Sequence, residues 1–232
     1  MFETIIAHGY CTRFYIFHRY SIAHMSVSDD SSVTLLKTLP TSFCCDNISP
    51  MYADTFMVST NDHERPICSI DVQGNVEDVQ HKLLPDKIND ICESACTYIP
   101  STNTLVFSYC DQNTLYMCDV MSGDGHVIKS DKIVGPRGVC AGPAGTVFVC
   151  SGGTGALVQL SQDGEILMTY DIGMECPYAV SISGDGTRLV VASWADEQNT
   201  IKLFHVSRKI AGTFVTAWLL HVYNVCMICL LF

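Results

Sequence analysis

The residues best equipped for chemistry in this chain are its thirteen cysteines, eight histidines and scattered aspartates, and their spacing decides what they could do. Zinc needs clustered thiolate or imidazole ligands. Cys226-Met-Ile-Cys229 has the spacing of half such a site, but no second pair lies near it and it sits inside an apolar run. Cys92-x-x-x-Cys96 and the adjacent Cys44 and Cys45 are equally isolated. These cysteines read as core or loop residues, and no metal or cofactor is expected. Acid–base chemistry needs paired carboxylates or a histidine beside a nucleophile, and the histidines are dispersed. There is no Gly-x-Ser-x-Gly, and Ser151-Gly-Gly-Thr-Gly155 reads as a turn between strands. No catalytic residue is assigned. One basic cluster stands out: Lys129, Lys132 and Arg137 fall within nine residues and form a candidate partner-binding patch.

Charge narrows the partner class. The chain carries 24 acids against 13 Lys and Arg, a net −11, and from Val27 to Lys209 the balance is 23 acids to 11 bases. Nucleic-acid affinity rests on basic residues that neutralise phosphate, so a protein partner is expected and nucleic acid is not. Cysteines such as Cys118, Cys140 and Cys150 lie inside apolar runs, which reads as reduced thiols buried in a cytoplasmic protein. The first 25 residues, interrupted by His8, Arg13, His18, Arg19 and His24, do not read as a signal peptide.

The elements that must position these residues are repeats. One unit opens at Pro136 with Pro-Arg-Gly-Val-Cys-Ala-Gly-Pro-Ala-Gly-Thr-Val-Phe-Val and runs to Tyr170; a second copy opens at Pro177 and runs to Val206. Asn103-Thr-Leu-Val-Phe-Ser matches the second strand of the first unit, so Leu105, Val147 and Leu189 recur every 42 residues. A degraded copy lies upstream at Thr55-Phe-Met-Val-Ser and Ile67-Cys-Ser-Ile-Asp-Val. Within each copy, apolar runs of four to six residues alternate with turns such as Asp163-Gly164 and Asp185-Gly186, a strong hairpin signal. Three or four strands per unit, repeated, predict an all-β protein built as a β-propeller, with about four recognisable blades of four-stranded antiparallel sheet over residues 42–207. A β-sandwich is the competing architecture.

Pro136-x-Gly138-Val139, Gly145-x-Val147-Phe148-Val149, Leu157 to Leu160 and Asp163-Gly164 together resemble an NHL repeat. Such repeats form six-bladed propellers at the C-terminus of many tripartite-motif proteins. The resemblance covers residues 42–207 and is strongest from Pro136 to Val206. It implies a six-bladed type of which this chain holds an incomplete set, and a non-catalytic protein-interaction module that engages partners through loops at one face of the disc. It departs from the family at Cys150-Ser151 and Gly155-Ala156, where an NHL blade carries Asp and Asn-x-Arg, so no residue role is carried over. The RING and B-box modules of those proteins have no counterpart here. Two alternatives remain: an RNA-binding NHL domain, in which Lys129, Lys132 and Arg137 would be the basic patch, and a gluconolactonase-like propeller enzyme. The enzyme would need carboxylates converging on a metal at the channel, for which Asp119, Asp171 and Asp185 are available.

The two ends differ from the body. Residues 1–41 form an N-terminal segment in which Val33-Thr-Leu-Leu is a plausible strand of a partial blade. Residues 208–232 form a hydrophobic tail, and the 23 residues from Ile210 to Phe232 contain no Asp, Glu, Lys or Arg. About 20 apolar residues span a bilayer, and Arg208-Lys209 supplies a basic flank. A membrane anchor, an abnormal chain end and a buried terminal strand are the three readings, the first placing a transmembrane helix at residues 210–232.

Overall fold

The computed structural model describes residues 4–7, 13–18, 20–27, 32–60, 62, 64–79, 82–84, 94–193, 200–209 and 212–220. Strands of three to ten residues alternate with tight turns, and among the described residues there is no α-helix, only 3-10 turns at Cys110–Gln112 and Pro143–Gly145. The turns are where the sequence placed them. Gly164 and Gly186 both adopt positive φ, the conformation that an Asp-Gly hairpin turn requires and that glycine adopts without strain.

The four blades read from the repeats are four antiparallel sheets, each a meander in chain order. The first comprises β5 (Cys45–Tyr52), β6 (Thr55–Thr60), β7 (Ile67–Asp71) and β8 (Val76–Asp78). The next comprises β9 (Ala95–Ile99), β10 (Thr104–Tyr109), β11 (Thr114–Asp119) and β12 (Gly125–Ile128). Then follow β13 (Pro136–Ala141), β14 (Val147–Ser151), β15 (Ala156–Leu160) and β16 (Ile166–Asp171). The last holds β17 (Pro177–Ile182), β18 (Arg188–Ser193), β19 (Thr200–Lys209) and β20 (Gly212–Leu220). Ahead of them lies a fifth sheet of the same order, β1 (Thr4–Ala7), β2 (Arg13–His18), β3 (Ser21–Val27) and β4 (Val33–Pro40). We number the sheets blades 1 to 5. The first strands pack side by side in the order β1, β5, β9, β13, β17 and form the inner wall.

Two expectations about the ends are revised. Residues 1–41, expected to give at most part of a blade, supply the complete meander of blade 1, whose Ile22 and Leu39 join Phe43, Ile48, Phe56 and Val58 in the core shared with blade 2. Lys37 adds a tie, its Nζ donating to Val72 O at 3.1 Å. Residues 212–220, expected in the hydrophobic tail outside the propeller, pair along all of β20 with β19, from Ile201↔Leu220 to Lys209↔Gly212. The boundary drawn at 207/208 therefore falls inside a strand. The segment Thr213-Phe-Val-Thr-Ala-Trp218 is rich in β-branched and aromatic residues, and an adjacent edge gives it hydrogen-bond partners that hydropathy does not register. No helix among the described residues is long and apolar enough to cross a membrane; residues 221–232 lie outside the described residues.

The hydrophobic cores sit between blades. On the second strands β10, β14 and β18, Leu105, Val147 and Leu189 are each completely buried. They fill the interfaces between blades 2 and 3, 3 and 4, and 4 and 5 in turn. The 42-residue recurrence is thus a recurrence of interface positions. Because successive strand residues face opposite ways, the alternate residues Val106 and Phe148 face the next blade along. Cys118 and Cys150 are buried thiols, as the sequence implied, while Cys140 is half-buried. Burial pushes the Cys118 thiol up to about 11 and the Cys150 thiol well above its usual range, which makes both poor nucleophiles.

Candidate functional site

Each blade begins on one face of the disc and returns to it, so the inter-blade connections and the turns between second and third strands share that face. The opposite face carries the turns between first and second strands and between third and fourth. Inner strands of neighbouring blades have no backbone ladder between them, and their inward N–H groups must find other partners. Side chains supply several. Asn47 Oδ1 accepts from Cys96 N at 3.3 Å, Thr97 Oγ1 accepts from Ala141 N at 3.2 Å, and Ser49 Oγ lies 3.2 Å from Thr97 Oγ1. Ser59 Oγ donates to Ser94 O at 3.1 Å, and at the matching place one blade on, Ser108 Oγ donates to Arg137 O at 2.6 Å.

These strands enclose an axial cleft of about 180 Å³, walled by β5, β9, β13 and β17 and extending onto Val190, Ala192 and Ile201 of blade 5. Leu189 and Val191 face blade 4, so Val190 and Ala192 lie on the face of blade 5 turned away from it. The wall is close-packed where β13 meets β17. A Cβ on Gly138 would sit 2.6 Å from Ala179 Cα and 2.7 Å from Tyr178 O, so only glycine lets the two strands approach. Gly138→Ala should therefore destabilise the protein by roughly 1–3 kcal/mol through overpacking, read from urea denaturation. An unchanged midpoint would mean that β17 moves aside freely.

At the end of the cleft where the inner strands begin, Asp46, Ser94, Arg137 and Tyr178 occupy equivalent places in blades 2 to 5. Each directly precedes Asn47, Ala95, Gly138 or Ala179, and Asp46, Ser94 and Tyr178 are themselves part of the cleft wall. In blades 2, 4 and 5 the ladder shifts register here, between Cys45 and Asn47, Pro136 and Val139, and Pro177 and Ala179. Bulges re-aim side chains. Arg137 stacks over the Tyr178 ring, 5.6 Å from its centroid. Asp46 and Ser94 both line the cleft and behave differently. Ser94 is 3% exposed and its Oγ has no hydrogen-bond partner; the Asp46 Oδ2 atom is likewise buried and unpartnered. Desolvation pushes the Asp46 carboxyl up to about 7.

The residues singled out from sequence fall elsewhere, with one exception. Lys129 and Lys132 are exposed on the connection between blades 3 and 4, and Arg137 is the half-buried member of the mouth ring. Asp119 and Asp185 cap turns on the opposite face, accepting from Met121 N and Ser122 N, and from Thr187 N. Hydrogen bonds from Ser183 and Thr187 lower the Asp185 carboxyl to about 2. Asp171 ends the outermost strand β16 and accepts from Gly173 N. The three aspartates thus do not converge on the channel. Asp46 and Ser94 were missed because they lie in the two weakest repeats; the only signal was their place ahead of Asn47-Ile-Ser49 and Ala95-Cys-Thr97, strand starts that the structure makes equivalent.

No protein-family model matches the chain, and no curated protein matches it. Solved structures do. A streptogramin B lyase is 15% identical with a TM-score of 0.63, over 94% of this chain and 68% of that one. Virginiamycin B lyase from Staphylococcus aureus is 16% identical with a TM-score of 0.61, over 95% and 69%. A structure of a nidogen/laminin complex matches at 10% identity and a TM-score of 0.64, over 89% and 85%. Likeness at this level is likeness of fold. It corrects the expectation that the chain is no enzyme, since two of these propellers are lyases. A propeller assembles an axial site from residues a blade apart, so the lack of a contiguous catalytic motif never argued against catalysis.

Proposed function

We propose that this propeller is a recognition module of NHL type that takes an extended segment of a protein partner into its axial cleft. One observation carries the reading: an axial cleft of about 180 Å³ lies among the inner strands, its lining mixing the polar residues Asp46, Asn47, Ser49, Thr97 and Ser181 with apolar ones. A concave site with a few polar groups set among apolar ones suits a ligand held by both. The Pro136-x-Gly138-Val139 repeat pattern supports the family comparison, and the likeness to a propeller solved in a nidogen/laminin complex supports a protein partner. The net charge of −11 weighs against nucleic acid.

The reading is tested by selecting linear peptides from a displayed random library on the immobilised protein. Selected peptides should lose at least tenfold in affinity on Ser181→Trp or Val190→Trp, which fill the cleft, and be indifferent to Asp163→Ala on the opposite face. Circular dichroism confirms that each variant is folded. Binders untouched by both cleft-filling variants, or the absence of any binder, would overturn the reading.

A further inference from the structure

We infer that the segment taken into the cleft binds as an extended strand parallel to β17, in the place that the inner strand of a further blade would hold. Two alternate aliphatic side chains lie on blade 5 and one backbone N–H bonds to Ser181. The inference rests on the axial cleft being the binding site. Ladder register makes Ser49, Thr97, Cys140 and Ser181 equivalent, standing opposite Met57, Val106, Phe148 and Val190. Met57, Val106 and Phe148 belong to the core shared with the next blade, and residues opposite one another in a ladder share a face. On the third strands, Ile67, Leu115 and Leu157 complete that face, and Ile201 is their counterpart. In blades 2 to 4 these second- and third-strand residues are at most 1% exposed. Val190 and Ile201, in blade 5, are half-buried and line the cleft, and Leu203 beside Val190 is half-buried too. β17 packs on β13 and β14 and pairs with β18, and no described strand packs closely on its other side. Blade 5 thus carries the interface face of an inner blade with no described blade upon it.

The preceding interfaces define what fits. The inner strands all start on one face of the disc and run parallel. Each lays residues two apart against the blade before it: Cys96 and Tyr98, Val139 and Ala141, Val180 and Ile182. The hydroxyl in the row receives the backbone of the incoming strand. Thr97 Oγ1 accepts from Ala141 N at 3.2 Å, and Ser49 Oγ lies 3.2 Å from Thr97 Oγ1. Ser181 holds the place of Thr97 on β17; it is half-buried, lines the cleft, and its hydroxyl has no hydrogen bond among the described residues. By the same geometry Ser181 Oγ accepts from the N–H of the second aliphatic residue. The segment that fits is therefore aliphatic-x-aliphatic, and proline, which has no N–H, is excluded from the second aliphatic position. A helix uses its backbone N–H groups internally and offers none along its length. A charged side chain laid on Val190 and Ile201 would lose water without gaining a partner.

The test uses the full chain and the acetylated, amidated peptide Tyr-Ala-Val-Ser-Ile-Ser, the sequence of Tyr178 to Ser183, which holds this place against blade 4. At up to millimolar concentration it should shift the Val190, Ile201 and Leu203 methyl resonances saturably in NMR. N-methylation of its isoleucine, which removes the N–H, should weaken binding about fivefold. Replacing its valine and isoleucine by aspartate should abolish binding. In the protein, Ile201→Asp should weaken it by about tenfold or more, and Ser181→Ala should erase the difference between the parent and N-methylated peptides. Urea melts of both variants establish that they are folded. No methyl response, binding indifferent to Ile201→Asp, or an N-methylation penalty undiminished in Ser181→Ala would overturn the inference. So would another occupant of the face, seen as nuclear Overhauser contacts from residues 221–232 to the Ile201 methyls, or as a dimer in sedimentation that Ile201→Asp dissociates. The two readings fail separately. If library peptides depend on the open cleft but share no aliphatic pair, the strand place falls and the cleft stands; if they ignore Ser181→Trp and Val190→Trp, the cleft itself falls.

Discussion

Truncation of Phe148 to alanine is expected to destabilise the protein by about 3–5 kcal/mol, the range for removing a buried phenylalanine together with the cavity left behind. Phe148 is completely buried on β14 and packs with Cys150, Leu157, Leu189, Val191, Phe204 and Val206, so its ring is shared between blades 4 and 5. Each described blade shares its cores with its chain neighbours, which makes the array closer to a row of coupled units than to one uniform core. The loss should therefore be local as well as large. Lys202 Nζ, which donates to Ile172 O at 2.8 Å and Gly173 O at 2.7 Å, ties blade 5 to the connection that leads into it. Hydrogen exchange should speed up first in β17, β18 and β19 of Phe148→Ala while β9 and β10 stay protected. Uniform acceleration across all strands would show that the blades unfold as a single cooperative unit.

The second large effect is a pH dependence. Asp46 ionises at about 7 in the folded protein because burial disfavours its charge, against about 3.9 in an unfolded chain. Below pH 4 the carboxyl is protonated in both states and costs nothing. Between pH 4 and 7 the unfolded chain releases the proton while the folded protein retains it, so stability falls as pH rises. Above 7 both are ionised and the full penalty, about 3–4 kcal/mol, persists. Asp46→Asn keeps the shape and removes the charge. It should match the parent protein near pH 4 and exceed it by that amount near pH 8, measured as the difference between urea denaturation midpoints at the two pH values. A difference that does not grow with pH would mean that water reaches the carboxyl and the cleft mouth is not desolvated.

Much of the architecture could be read from single residues. Asp163-Gly164 and Asp185-Gly186 announce hairpins because positive φ is a local demand, and Leu105, Val147 and Leu189 announce a repeated interface because alternation along a strand is also local. At the two ends the determinants of structure are not local. Ile210 to Phe232 satisfies the hydropathy of a membrane span, yet residues 212–220 are a strand because β19 offers nine residues of edge to pair with. Blade 1 escaped notice because its strands do not share the Pro-x-x-Val and Asp-Gly marks of blades 4 and 5.

By itself, then, the sequence determined that the chain is an all-β array of blades with a 42-residue period, that its turns lie at particular Asp-Gly pairs, and that its body is acidic. What only the tertiary structure decided is which polar residues lose their water. Asp46 and Ser94 are ordinary surface-type residues in ordinary strand starts, separated by a whole blade of chain. They lose their water because adjacent blades bring β5 and β9 together at the axis and bury one oxygen of each without giving it a partner. Desolvation depends on everything packed around a group, and no spacing along the chain encodes it.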